Sequence, residues 1–230
     1  MDIRPLKLRA VEEALKMLPD SGVIGLGSGS TAQLFIDGVA EAVRGGKRLV
    51  GVPTSEQSRA QAQRLGIPLL DDDGPWNIDL CVDGADEVSA DLDLIKGGGA
   101  CHLREKIVNQ SARVNVIVVQ ESKLSQRLGE KWAVPVEIMP FGHASTAKHL
   151  ERFGTVVNRE RDGQPLKTDT GNYVYDVRTG PIEDPRLLDA ALHTIPGVVE
   201  TGLFVGRAQV VIVAGTEGVR RIVKPSPALH

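Results

Sequence analysis

Short apolar runs recur along the first half of this chain, each leading into a polar loop and then a stretch with helical spacing. "GVIGLG", "KRLVGVP", "IDLCVDGADE" and "VNVIVVQ" are apolar almost throughout, the pattern of strands covered on both faces. Between them, "TAQLFIDGVAEAVR", "SEQSRAQAQRLG" and "REKIVNQSA" have helical periodicity, as does "LKLRAVEEALKML" near the start. Strands that alternate with helices in this way predict an α/β fold, a mostly parallel sheet with helices on both faces. "IPLL" and "LDLIKGGG" add two shorter strand signals.

From Val134 the pattern changes. "VPVEIMP", "TVVNRE", "NYVYDVR" and "VVETGLFVG" read as strands, with helical patterns in "GHASTAKHLERFG" and "DPRLLDAALHTIPG". The order β-α-β-β-α-β is that of a split, ferredoxin-like unit. A last strand, "QVVIVAG", and a short helix, "TEGVRRIV", are expected to return to the first sheet. The expected organisation is a main α/β domain of residues 1–129 and 206–230, and a smaller ferredoxin-like α+β domain of residues 130–205.

The chemistry is expected in loops, because in open parallel sheets ligands bind beyond the carboxyl ends of the strands. Three loops fall at such ends and are expected to converge at one sheet. "GLGSGSTA" opens a helix with bare backbone at Gly27 and Gly29 and with hydroxyls at Ser28, Ser30 and Thr31. That suits a phosphate at a helix N-terminus, although a capped tight turn has the same composition. A P-loop is excluded because no lysine follows the glycines, and a dinucleotide fingerprint lacks its third glycine and its acid. "DGADEV" sets Asp83, Asp86 and Glu87 together, for proton transfer, for a divalent metal, or as a solvated acidic turn. "IKGGGACHLREKI" places Lys96 before three glycines, with Glu105 in the first turns of the next helix. The helix dipole there favours a carboxylate, while an exposed REK face is the plainer alternative.

Composition narrows the function. A net charge of −3 and 3% aromatic residues offer neither the basic face nor the stacking surface of a nucleic-acid binder. No apolar run has the length of a membrane span or a signal peptide. Cys81 and Cys101 make no CxxC, and the five histidines show no HxH or HExxH spacing. A reduced, cytoplasmic setting without metal chemistry is therefore expected.

Taken together, "GLGSGSTA", "DGADEV", "IKGGGACHLREKI", "ESK" at 121–123, "VPVE" at 134–137 and "IPGVVETGLF" at 195–204 resemble, in order and spacing, the ribose-5-phosphate isomerase family of the A type. The resemblance implies a homodimeric cytoplasmic aldose–ketose isomerase of the pentose phosphate pathway. It would act on a small sugar phosphate without metal or cofactor, through an enediolate. It assigns Glu105 as catalytic base. It assigns substrate binding to Ser28, Gly29, Ser30 and Thr31, to Asp83, Gly84, Ala85 and Asp86, to Lys96, Gly97, Gly98 and Gly99, and to Lys123. Lys96 or the glycine amides suit a developing oxyanion, Asp83 suits ring opening, and Asp86 suits the orientation of a hydroxyl. Ser30, Thr31 and Lys123 suit the phosphate, with Lys7 assisting. Ser28 stands where the family often has threonine, and Cys101-His102 replaces a small or apolar pair. A sugar-phosphate deaminase-isomerase, a CoA transferase and a non-catalytic sugar-phosphate regulator are the rival readings. The KGGGA…REK stretch argues against the two enzymes, and the lack of a DNA-binding module against the regulator.

Overall fold

The computed structural model describes residues 4–223. In chain order the first elements are α1 (Arg4–Leu15), β1 (Ser21–Leu26), α2 (Ser30–Arg44), β2 (Arg48–Pro53), α3 (Glu56–Arg64) and β3 (Ile78–Asp83). Then come β4 (Glu87–Val88), β5 (Leu94–Ile95), α4 (His102–Gln110), β6 (Ala112–Gln120), β7 (Val134–Ile138), α5 (His143–Leu150) and β8 (Thr155–Asn158). The rest are β9 (Glu160–Arg161), β10 (Gln164–Pro165), β11 (Tyr173–Arg178), α6 (Pro185–His193), β12 (Val198–Thr201), β13 (Leu203–Phe204), β14 (Val210–Gly215) and β15 (Gly218–Val223). The chain divides into two compact units: Met1–Gly84 with Val108–Ser122 and Arg207–His230, and Ala85–Ile107 with Lys123–Gly206.

The first unit is built on a six-stranded sheet of order β15-β14-β6-β3-β1-β2. All neighbours are parallel except the β14–β15 pair. The apolar runs of β1, β3, β6 and β14 supply Ile24, Leu26, Leu80, Val82, Val116, Val118 and Ile212 to a core shared with Val11 of α1 and with Phe35, Ile36 and Val39 of α2. Burial on this scale is the main force holding the layers together, at about 1.5–3 kcal/mol for each large apolar side chain.

Two expectations for this unit fail. "TEGVRRIV" is not a helix but the antiparallel strand β15, whose Gly218 pairs with Gly215 across a turn of Thr216 and Glu217. Gly218 has φ +129°, a conformation that glycine adopts without steric cost. Beyond the turn, pairing with the open edge of β14 outweighs a weak helical pattern. "IPLL" likewise forms only a single bridge, Gly51 to Leu69.

The second unit contains a four-stranded antiparallel sheet of order β12-β7-β11-β8. With α5 between β7 and β8 and α6 between β11 and β12, this is the expected ferredoxin-like arrangement. Val134, Val136 and Ile138 of β7 pack with Leu150, Val177, Leu192 and Ile195. The same unit holds a three-stranded sheet of order β13-β5-β4. The expected strand "VVETGLFVG" is thus split, with β12 and β13 in different sheets. Gly202 lies between them, where a Cβ would fall 2.3 Å from the Lys96 carbonyl oxygen. Among the described residues no helix is long and apolar enough to cross a membrane.

Candidate active site

The first unit organises the GSGST loop and Asp83. β1 ends at Leu26, and the chain turns through Gly27 so that Ser28 N–H donates to Asp83 Oδ1 at 3.0 Å, alongside Gly84 N–H at 2.8 Å. A Cβ on Gly27 would fall 2.3 Å from that oxygen, so only glycine admits the carboxylate. Gly29, at φ +88°, precedes α2 and leaves its first turn without a side-chain cap. The helix-terminal amides are therefore available to an anion. Ser30 Oγ accepts from Lys7 Nζ at 2.7 Å, which brings a cation to the loop as expected.

Ser28 behaves differently from its neighbours. Its hydroxyl lies 2.7 Å from both Thr54 Oγ1 and Ser55 Oγ, and Ser58 donates to the Gly27 carbonyl at 2.6 Å. The Ser28 side chain thus braces the loop from behind. Thr54, Ser55 and Ser58 lie after the end of the strand read from "KRLVGVP" and carry no signal of their own in the sequence.

The second unit holds Asp86, Lys96, the three glycines, Glu105 and Lys123. The KGGG loop follows β5 of the three-stranded sheet, so the expectation that all three loops end strands of one sheet is corrected. β5 is two residues long and pairs with β4 on one side and on the other with β13, more than a hundred positions later, a pairing that no local pattern reveals. Lys96 N–H donates to the Gly202 carbonyl at 2.9 Å, and Lys96 Nζ lies 3.3 Å from Glu105 Oε2. Both side chains are buried, at 4% and 7% exposure. The ammonium lies 5.5 Å from the centroid of the Phe204 ring, close enough for a cation–π contact. A carboxylate and an ammonium are rarely buried without a function.

The REK triplet is therefore not an exposed helix face. Glu105 is turned to Lys96, while Lys106 Nζ is bound to Glu200 Oε1 at 2.6 Å and to the Thr201 carbonyl at 2.8 Å. Arg104 reaches the Asp169 carbonyl at 3.4 Å. His102 is fully buried, and burial, with Lys106 and Arg159 nearby, lowers its pKa to about 3. Its Nε2 lies 3.8 Å from Glu137 Oε2, beyond hydrogen-bond reach, and the neutral ring packs under Gly97. A Cβ there would lie 2.7 Å from His102 Nδ1.

The carboxylates of DGADE have separate protein partners. Asp86 Oδ2 accepts Gly98 N–H at 2.7 Å. Glu87, wholly buried, accepts Gly129 N–H at 2.9 Å, Lys131 N–H at 3.0 Å and Trp132 N–H at 3.3 Å. Glu87 thereby fixes the segment carrying Trp132, over whose ring Lys123 Nζ sits 4.7 Å from the centroid. The group of potential metal ligands found among the described residues lies elsewhere, at Asp189, His193 and Glu200.

That group anchors the helix that carries Glu105, and it titrates. The hydrogen bond to Glu200, with further help from Asp189, raises the His193 pKa. Burial works against the Glu200 carboxylate, but hydrogen bonds and charge from His193 and Lys106 outweigh it and lower its pKa to about 2. A raised histidine stabilises the fold below its unfolded value of 6.5 and loses this effect as pH rises through the folded value. A depressed glutamate stabilises above 4.5 and loses the effect as pH falls towards about 2. The stability difference between wild type and Glu200→Gln is therefore expected to peak between these two unfolded values. It should be on the order of 2 kcal/mol after solvent screening. Urea unfolding of both proteins across pH checks this, and a pH-independent difference would contradict it.

The same elements recur in known proteins. The family model for ribose 5-phosphate isomerase A (phosphoriboisomerase A) matches residues 50–218. The ribose-5-phosphate isomerase A of Gloeobacter violaceus is 47% identical over 230 residues, covering 99% of this chain and 100% of that one. The protein of the same name from Desulfatibacillum aliphaticivorans is 45% identical over 221 residues, covering 94% and 96%. Among solved structures, ribose 5-phosphate isomerase A of Methanocaldococcus jannaschii superposes with a TM-score of 0.92 at 40% identity, over 97% of this chain and 100% of that one. A D-ribose-5-phosphate isomerase in complex with phospho-erythronic acid gives 0.93 at 39% identity, over the same shares. A buried lysine–glutamate pair behind a glycine run, a hydroxyl loop on a helix N-terminus, and matches of this extent place the chain in the ribose-5-phosphate isomerase A family.

Proposed function

We propose that this chain interconverts ribose 5-phosphate and ribulose 5-phosphate with Glu105 as the single base that moves the carbon-bound proton, and the buried Lys96–Glu105 pair is the observation that carries the reading. Aldose–ketose isomerisation moves one proton between adjacent carbons through an enediolate, and one carboxylate on one face can remove and return it. Such a base contributes about 10²–10⁴-fold. The charge that develops on oxygen is met by the buried Lys96 and by amides of the glycine run, within which the Gly98 N–H is held by Asp86. Asp83, held by Ser28 and Gly84 N–H groups, transfers the proton that opens the sugar ring, and Asp86 orients a hydroxyl.

The phosphate is assigned to the amides and hydroxyls of Gly29, Ser30 and Thr31, with Lys7 and Lys123 as cations, and Gly84 and Ala85 line the sugar. Ser28 contributes its backbone, since its hydroxyl is engaged with Thr54 and Ser55. The solved relative that binds phospho-erythronic acid supports a phosphorylated open-chain ligand of this size. In the domain division we propose, residues 1–129 and 206–230 form the main domain and 130–205 the smaller one. The four-stranded antiparallel sheet with α5 and α6 lies wholly within the latter. A homodimer is supported by the exposed apolar side chains Met139, Phe141, Val157 and Leu187. A cytoplasmic setting is supported by two cysteines that form no disulfide with each other, one of them buried.

The test is direct. Purified protein treated exhaustively with a chelator is incubated with ribose 5-phosphate, and ketose formation is followed. The expected rate equals that of untreated protein. No ketose from either sample would overturn the function, and activity restored only by an added metal would overturn the carboxylate-and-lysine mechanism.

A further inference from the structure

The glycine run that follows Lys96 is gripped by a side chain 62 positions away in sequence. Arg159 comes directly after β8 and is half-buried. Its Nε donates to Asp176 Oδ2 of β11 at 2.9 Å, and its Nη2 pairs with Asp176 Oδ1. That two-pronged contact fixes the guanidinium plane and balances its charge. Nη1 remains, and it donates to the Gly97 carbonyl at 2.5 Å and to the Gly98 carbonyl at 3.3 Å.

The consequence follows from peptide geometry. The described residues contain no cis peptide bond, and in a trans peptide the C=O and N–H point in opposite directions. With the Gly97 carbonyl turned to Arg159, the Gly98 N–H points away, where Asp86 Oδ2 accepts it at 2.7 Å. The peptide plane is thus held at both ends. By the same geometry, the Gly98 carbonyl contact turns the Gly99 N–H away from the guanidinium. Gly97, at φ +112°, has no side chain to resist rotation, so the direction of these amides depends on what grips their carbonyls.

We infer that Arg159 is a positioning residue of the isomerase site, fixing the peptide planes that follow Gly97 and Gly98 so that the Gly98 N–H holds Asp86 and the Gly99 N–H faces the reacting oxygen. The inference rests on the function proposed above and extends it. Asp176 already neutralises the guanidinium, so Arg159 acts as a directed donor and not as a second anion-binding charge. A lysine in its place would keep the charge opposite Asp176, but one ammonium cannot reproduce a planar fork that spans a carboxylate and two carbonyls.

Arg159→Lys is therefore the informative variant, with Arg159→Ala beside it. Both are expected to lose about 10- to 100-fold in kcat, the range that follows misplacement of an oxyanion donor. Inhibition by inorganic phosphate should be unchanged, and Arg159→Lys should melt close to wild type. Millimolar guanidinium should restore part of the rate to Arg159→Ala and none to Lys96→Met. Amide hydrogen exchange at Gly98 and Gly99 should be faster in Arg159→Lys than in wild type, and this reads the grip without substrate. Wild-type kcat in Arg159→Lys would overturn the inference. So would an activity loss in Arg159→Ala that merely follows lost folding and is deaf to guanidinium. If wild-type protein makes no ketose, the proposed function falls, and the exchange measurement still judges the grip: unaltered exchange in Arg159→Lys overturns it.

Discussion

Glu105→Gln is expected to lower turnover by at least about 10²-fold, the lower end of a general base's contribution. The amide matches the carboxylate in size but accepts no proton at neutral pH. Substrate affinity should change little, because the phosphate and sugar contacts are assigned to residues 28–31, 83–86, 97–99 and 123. The variant leaves the buried Lys96 ammonium opposite a neutral partner. Some stability is lost, but less than the about 3–5 kcal/mol typical when one member of a buried pair is deleted, since the amide oxygen still faces the ammonium. Initial rates and a urea titration measure both effects, and a KM increase without a fall in kcat would move Glu105 from chemistry to binding.

Lys96→Met makes the complementary change. Methionine fills the same space beside Phe204 and lacks the charge. A fall of about 10²–10³-fold in kcat is expected, the typical effect of removing one donor to a developing oxyanion. Stability should drop by about 3–5 kcal/mol, because the buried Glu105 carboxylate loses the cation of its pair. The double variant Lys96→Met/Glu105→Gln should recover much of that stability and none of the activity, since two groups that act as a unit are not additive. Purely additive stability losses would mean that the two side chains do not interact in solution.

The parts of this arrangement visible in the sequence are those with local causes. The parallel sheet was readable because β1, β3, β6 and β14 are apolar along their length, and the ferredoxin-like order because its strands and helices alternate between turn signals. Glu105 and Lys96 stood out by their place around three glycines. What escaped notice depends on distant pairing. Nothing near Leu94 and Ile95 indicates that they pair with Leu203 and Phe204, and so the KGGG loop was placed at the wrong sheet. The burial of Lys106 in the REK triplet depends on Glu200 and Phe204. The Ser28 hydroxyl has the residue type and loop position of a ligand contact, but its partners Thr54 and Ser55 come from the end of another strand. Arg159 carried no signal near the end of the expected strand "TVVNRE", because its partners, Asp176 and the Gly97 and Gly98 carbonyls, come from other elements of the fold.

The central claim is that one buried carboxylate moves the proton, and hydrogen exchange at the substrate's C2 position tests it apart from product release. Ribose 5-phosphate is incubated in deuterated water with wild type or with Glu105→Gln, and the C2 hydrogen is followed by NMR. Wild type should replace it with deuterium. Glu105→Gln should leave it in place even after turnover times long for wild type. Exchange in the variant at a rate near that of wild type would contradict the account and pass the role of base to another group, with Asp83 the first to test.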